Sequence, residues 1–187
     1  HRSHNHYLAK GGGFFALAAE LLGRESGCSK GRGGSVHLTD FDAGFVASTA
    51  ILGETVAAAV GSALSISMDK KDNLVVSFFG DATLEEGIFY KCLIFASLKN
   101  LPVLVVRENN GYATESPVDV RQPEGTNFCD RVNTFGVASK KIDGNDVEKV
   151  FEETNNAIQY MSEHKKPFFL ECTTYRWLEH VGPNYDH

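Results

Sequence analysis

The stretch 74-LVVSFFGDATLEEG-87 carries a run of β-branched and aromatic residues straight into a Gly-Asp pair, then into a helix start rich in acid. Reading outward from it, the same change of pattern recurs. The run 74-LVVSFF-79 predicts a strand, residues near 84 to 98 a helix, and 103-VLVVRE-108 a second strand. A third strand is expected in 137-VASKKID-143 and a helix from about Asp146 to His164, and 168-FFLECTTY-175 closes the pattern. Alternating strands and helices imply right-handed crossovers, hence an α/β fold with a mostly parallel sheet flanked by helices. Ligands of such sheets bind beyond the carboxyl ends of the strands. Three features then open on one edge: Gly80-Asp81, Asn109-Asn110-Gly111-Tyr112 and 175-YRWLEHVGP-183.

Upstream, 14-FFALAAELL-22 predicts a short helix, followed by the glycine-rich loop 27-GCSKGRGGS-35. The segment 54-ETVAAAVGSALSISM-68 reads as a helix whose small residues suit close contact with another backbone. With 187 residues, 42% hydrophobic and 22% charged, the chain is expected to form one domain over 1–187. A formal net charge of −6 argues against a nucleic-acid partner held by a general basic field. No apolar run reaches the roughly 18 residues that span a bilayer, so no membrane partner is expected. No secretory signal is visible, and the expected location is the cytoplasm, or the mitochondrial matrix in a eukaryote. Cys28, Cys92, Cys129 and Cys172 form no Cys-x-x-Cys pair and read as buried free thiols of a reducing compartment.

Alone, Asp81 could simply cap the helix that follows it, and Asn110 could be the turn residue of an Asn-Gly pair. Together, a carboxylate and a carboxamide oxygen at neighbouring strand ends are hard ligands suited to Mg²⁺ or Ca²⁺. Magnesium keeps positions open for phosphate oxygens, and the helix start after Asp81 offers amides to an anion, so a diphosphate-bearing cofactor fits. Other phosphate motifs fit poorly. The segment 31-GRGGSV-36 has Val36 where a dinucleotide fingerprint needs its third glycine, and no P-loop is present. The glycine-rich loop therefore reads as structural, with Lys30 and Arg32 solvated.

These residues also carry a resemblance. Gly80-Asp81, with Asn110 standing 29 positions after Asp81 (110 − 81), resembles the Gly-Asp-Gly to Asn-Asn signature of thiamine-diphosphate enzymes. With 1-HRSH-4, 23-GRESGCSKGRGGSVH-37, 107-RENNGYA-113, 143-DGNDV-147 and 173-TTYRWLEHVGP-183, the chain is similar throughout to the alpha subunit of the 2-oxo-acid dehydrogenase first component, of pyruvate, branched-chain and acetoin type. The likeness begins inside the family's pattern, so truncation at both ends relative to the family is expected. It implies a three-layer thiamine-diphosphate-binding fold. Asp81, Asn110 and the carbonyl of Tyr112 would hold Mg²⁺, the backbone at Ala82 and Thr83 would touch the diphosphate, and Arg2 would pair with it. In 49-TAILGET-55, Ala50 would contact the aminopyrimidine and Leu52 would prop the cofactor in its bent form. His180, in the terminal loop, would be catalytic, exchanging protons and helping acyl transfer.

The implied activity is oxidative decarboxylation of a small 2-oxo acid, with acyl transfer to the lipoyl group of an acyltransferase component. Thiamine activation needs a glutamate that this family draws from a separate beta subunit, and no match to that domain is found here. An α₂β₂ assembly is the expectation. Other readings stand beside these: 1-HRSHNH-6 as a transition-metal cluster or a solvated end, Leu52 as plain core, His180 as a surface loop histidine. The sequence also departs from the family. Ala82 replaces a glycine, harmless at negative φ and harmful at positive φ. His1 replaces a tyrosine, Leu178-Glu179 stands where His-Gly or Gly-Gly is usual, and Val181 removes a serine that some relatives phosphorylate. A degenerate member acting as a scaffold is one alternative to the enzyme. A Mg-dependent phosphatase built on 81-DAT-83 is another, although position 79 is Phe where its partner aspartate would stand.

Overall fold

A computed structural model describes residues 3–182, 184 and 185. The chain divides into two compact units, residues 1–55 and 56–187. The first holds α1 (His4–Ala9) and α2 (Phe14–Leu21) with long connecting turns. Its small core is Tyr7, Leu17 and Leu38, with Phe45 set edge-on to Tyr7 at 5.6 Å. So small a core leaves much of the ordering to polar contacts, and the Tyr7 hydroxyl donates to Asp40 Oδ2 at 3.1 Å.

The second unit starts within α3 (Glu54–Met68) and carries the sheet. In chain order come β1 (Val75–Phe79), a 3₁₀ turn (Asp81–Glu85), α4 (Gly87–Lys99), β2 (Val103–Asn109) and the hairpin β3 (Tyr112–Ala113) and β4 (Ser116–Pro117). A 3₁₀ turn (Val118–Val120), α5 (Phe128–Asn133), β5 (Ala138–Asp143), α6 (Val147–His164) and β6 (Phe168–Thr173) follow. The main sheet runs β1-β2-β6-β5, every pair parallel. Strand alternation sends Phe79, Val103, Val105 and Phe169 into one core with α3, α4 and α5. Leu104, Val106, Ile142 and Leu170 meet Ala157 and Met161 of α6 on the other face. These are the three layers read from the sequence.

Helix ends follow local chemistry. The Asp146 side chain accepts from Lys149 N at 3.1 Å, and Asn127 accepts from Cys129 N at 3.0 Å, each capping its helix. Asn100 closes α4 at φ 53° before Pro102. One expected boundary moves. The helix after β1 begins at Gly87, because Glu86 is extended (φ −83°, ψ 127°) and separates it from the 3₁₀ turn. The cysteines are all free, but Cys28, in a loop, and Cys129, in the first turn of α5, are only half-buried, unlike Cys92 and Cys172.

Candidate active site at the carboxyl edge of the sheet

Parallel pairing brings the three expected segments to one edge, and two arginines join them. Arg121, just past the hairpin, donates from Nε to Ser116 O at 3.1 Å, bonds Glu85 of the 3₁₀ turn, and places Nη2 3.7 Å from Asp81 Oδ2. Arg176, at the base of the terminal loop, donates to Thr114 O at 2.5 Å and lies 4.8 Å from the Tyr112 ring centroid. Thr174 N also donates to Asn109 O at 2.7 Å.

Asp81 is 3% exposed and caps nothing: Gly80 is the N-cap of its turn and no side-chain cap bond forms. Both carboxylate oxygens are buried and accept no hydrogen bond from the described residues. Arg107 Nη2 stands 3.4 Å from Oδ1, within ion-pair range but without hydrogen-bond alignment. Burial pushes the Asp81 carboxyl above its ordinary range, and the guanidiniums of Arg107 and Arg121 only partly oppose it.

Arg107 is itself fully buried. Register aligns Phe79, Arg107, Glu171 and Lys141 in one row across the four strands. Along it, Arg107 Nη1 lies 3.3 Å and Lys141 Nζ 3.5 Å from Glu171 Oε1, which also accepts from Asn109 Nδ2 at 2.8 Å. The Arg107 guanidinium carbon sits 4.0 Å from the Phe128 ring centroid. A cavity of about 320 Å³ opens there, lined in part by Arg107, Asn127, Phe128, Lys141 and Glu171. Buried charges persist only when paired, so an arginine and a glutamate inside the apolar runs 103-VLVVRE-108 and 168-FFLECT-173 were the signal that sequence reading missed.

Asn110 forms the turn that was its simpler reading: its Oδ1 accepts from Tyr112 N at 3.0 Å. A carbonyl oxygen has two lone pairs, so one remains for a cation. A buried carboxylate with unfilled oxygens, a carboxamide and a backbone carbonyl suit a hard cation in donor chemistry. Their charge is already met by two guanidiniums. The same pairing and burial disfavour Asp81 as a phosphatase nucleophile.

Ala82 is not among the non-glycine residues at positive φ, so the replacement of glycine is unstrained there. Thr83 is buried beside it, and its N–H donates to Gly80 O at 3.4 Å. His180 is partly exposed in a loop closed by the Leu178–Tyr185 bridge. Glu179 shapes that loop, accepting from Asn184 Nδ2 at 2.8 Å while its N–H donates to Asn184 O at 3.0 Å. Ala50 and Leu52 belong to the first unit and are exposed, Leu52 at 44%, so the plain-core reading of Leu52 does not hold. Arg2 lies outside the described residues, as does His1.

The glycine-rich loop is structural, as expected, for a reason the sequence did not show. Its amides enclose the fully buried carboxylate of Glu20, which accepts from Ser29 N at 2.7 Å, Gly31 N at 2.9 Å and Gly33 N at 2.6 Å. Gly31 needs φ +72° there. Burial pushes the Glu20 carboxyl up, but the amides of Gly31, Gly33, Ser29 and Gly34 together bring it below its ordinary value.

An all-parallel α/β sheet with a charged ligand edge defines the general class, and comparison with known proteins narrows it. Residues 1–183 match the family described as the dehydrogenase E1 component, and the chain belongs to that family. It is 35% identical over 180 residues to the alpha subunit of acetoin:2,6-dichlorophenolindophenol oxidoreductase of Bacillus subtilis (strain 168), covering 96% of this chain and 54% of that protein. It is also 35% identical to the pyruvate dehydrogenase E1 component subunit alpha of Rhizobium meliloti (strain 1021), over 96% of this chain and 51% of that one. The chain thus spans about half the length of these relatives. A crystal structure described as a thiamin diphosphate-dependent enzyme from Mycobacterium smegmatis shares the fold at a TM-score of 0.54 and 22% identity, covering 70% of this chain and 23% of that one.

Proposed function

We propose that this chain is the diphosphate-binding part of the alpha subunit of a thiamine-diphosphate-dependent 2-oxo-acid dehydrogenase, working with a beta subunit and a lipoyl-bearing acyltransferase. The observation that carries the reading is Asp81: a buried carboxylate with unfilled oxygens, at the carboxyl edge of a parallel sheet, in a chain of this family. Asp81, Asn110 and the Tyr112 carbonyl would hold Mg²⁺, with backbone groups of Ala82 and Thr83 touching the diphosphate. Bound thiamine diphosphate supplies the electron sink for loss of CO₂. This chain's part is to fix the diphosphate end, to present Leu52 and Ala50 to the cofactor, to pair Arg2 with the diphosphate, and to hold a proton at His180 for the substrate oxygen.

Exposed Val76 and Phe78 on the outer face of edge strand β1 support a role inside a larger assembly, since further protein could cover them. Coexpression with a beta subunit of the family, followed by titration with thiamine diphosphate and Mg²⁺, tests the reading. Saturable binding lost by about 100-fold or more in Asp81→Ala is expected, in keeping with removal of a metal ligand. Equal binding by the variant would overturn the proposal. Turnover of pyruvate, branched 2-oxo acids and acetoin with an artificial electron acceptor then identifies the substrate.

A further inference from the structure

The proposed metal ligand already has cations. Arg107 lies 3.4 Å from one Asp81 oxygen and Arg121 3.7 Å from the other, and neither contact is an aligned hydrogen bond. The two arginines differ in anchorage. Arg107 is fully buried, locked between Asp81, Glu171 and the Phe128 ring. Arg121 keeps 13% of its side chain exposed and is steadied by Ser116 O and Glu85 on its outer side. A divalent cation approaching Asp81 meets two guanidinium charges within ion-pair distance of the same carboxylate, and like charges at that range repel strongly where water is excluded.

We propose that Arg107 and Arg121 are resident counter-cations of Asp81, and that Arg121 is the movable one, which a divalent cation must displace before Asp81 can ligate it. The inference rests on the reading of Asp81 as a metal ligand and adds a specificity-determining residue to it. Glu85 gives the displaced guanidinium a carboxylate of its own, so Arg121 can leave Asp81 without losing its anchor. The consequence is a site that binds metal weakly by itself. An anionic ligand drawing the guanidinium away would strengthen metal binding at the same edge.

Mn²⁺ binding to the full chain, read from the electron paramagnetic resonance of the free ion, tests this. Arg121→Gln removes the nearer-surface charge without disturbing the buried row and should bind Mn²⁺ about tenfold tighter than the wild type. The double variant Asp81→Asn, Arg121→Gln should lose that gain. A second variant, Arg107→Gln with Glu171→Gln, removes the buried ion pair as a pair, avoids leaving one charge alone, and should also tighten binding. Equal Mn²⁺ affinity in the wild type and Arg121→Gln would overturn the proposal, as would a gain that survives Asp81→Asn. Thiamine diphosphate titration of the same variants, each coexpressed with a beta subunit and held at Mg²⁺ below saturation, separates the two ideas. Cofactor binding with no Arg121 effect sinks the counter-cation and keeps the proposed function, whereas an Arg121 effect without cofactor binding does the reverse.

Discussion

Glu20 and Asp81 are both buried carboxylates next to a glycine-bearing segment, yet the chain treats them in opposite ways. Glu20 accepts three backbone N–H groups at 2.6 to 2.9 Å and its carboxyl is held below the ordinary range. Asp81 accepts none from the described residues, faces guanidiniums at 3.4 and 3.7 Å, and is pushed up. A carboxylate whose lone pairs are filled by its own backbone organises a loop. One that is neutralised but not hydrogen-bonded keeps its ligating capacity, at a cost to stability. The loop that most resembles a phosphate cradle is therefore closed to phosphate, and the less conspicuous Gly-Asp step is the one equipped to hold a ligand.

The largest test of this contrast removes the filled carboxylate. Glu20→Ala strands three buried amides and is expected to cost about 3 kcal/mol or more, measured by urea unfolding. Its pH dependence has a definite sign. Because the folded value lies below the ordinary 4.5, Glu20 contributes stability that is full above that pH and fades as pH falls through the folded value. Glu20→Gln should therefore flatten the acid limb of the stability profile below about pH 4.5, and an unchanged limb would show that the loop amides do not depend on the charge.

The contrast also explains what the sequence could convey. Strand-helix periodicity, Gly-Asp and Asn-Asn at strand ends, and the turn character of Asn110 are local signals, and the architecture follows from them. The partners of Asp81 are not local. Arg107 meets Asp81 and Glu171 only because β1, β2 and β6 pair in one register, and a shift by one residue would turn Arg107 to the opposite face. Glu20 was invisible for a similar reason: it stands nine to thirteen positions from the amides it gathers, and nothing in α2 sets it apart from an exposed helix glutamate.

Removing the unfilled carboxylate should act in the other direction. Since the folded state holds Asp81 above its ordinary 3.8, the penalty for its charge is absent in acid and grows as pH rises through the folded value. Asp81→Asn relieves it, so the metal-free protein should melt about 2–4 °C higher at pH 7, with the difference vanishing in acid. The same variant should bind no Mg²⁺-dependent cofactor, the trade of stability for function expected of a ligand site. A lower melting temperature would mean that Arg107 and Arg121 stabilise the charge more than burial penalises it, and the contrast with Glu20 would then be one of degree.

The smallest effect is expected at Ala82, where the chain departs from the glycine of its family's signature. Its backbone has negative φ inside a 3₁₀ turn, so alanine adds no strain and removes freedom from the unfolded chain. Ala82→Gly should cost about 0.5–1 kcal/mol and leave cofactor affinity within about twofold. The measurement distinguishes two origins for the open state of Asp81. If glycine strengthens Mg²⁺-dependent binding tenfold, the added methyl group restricts the turn and the backbone controls access to the carboxylate. If affinity holds, control lies with the side chains that face Asp81, and Arg121→Gln should alter metal binding where Ala82→Gly does not.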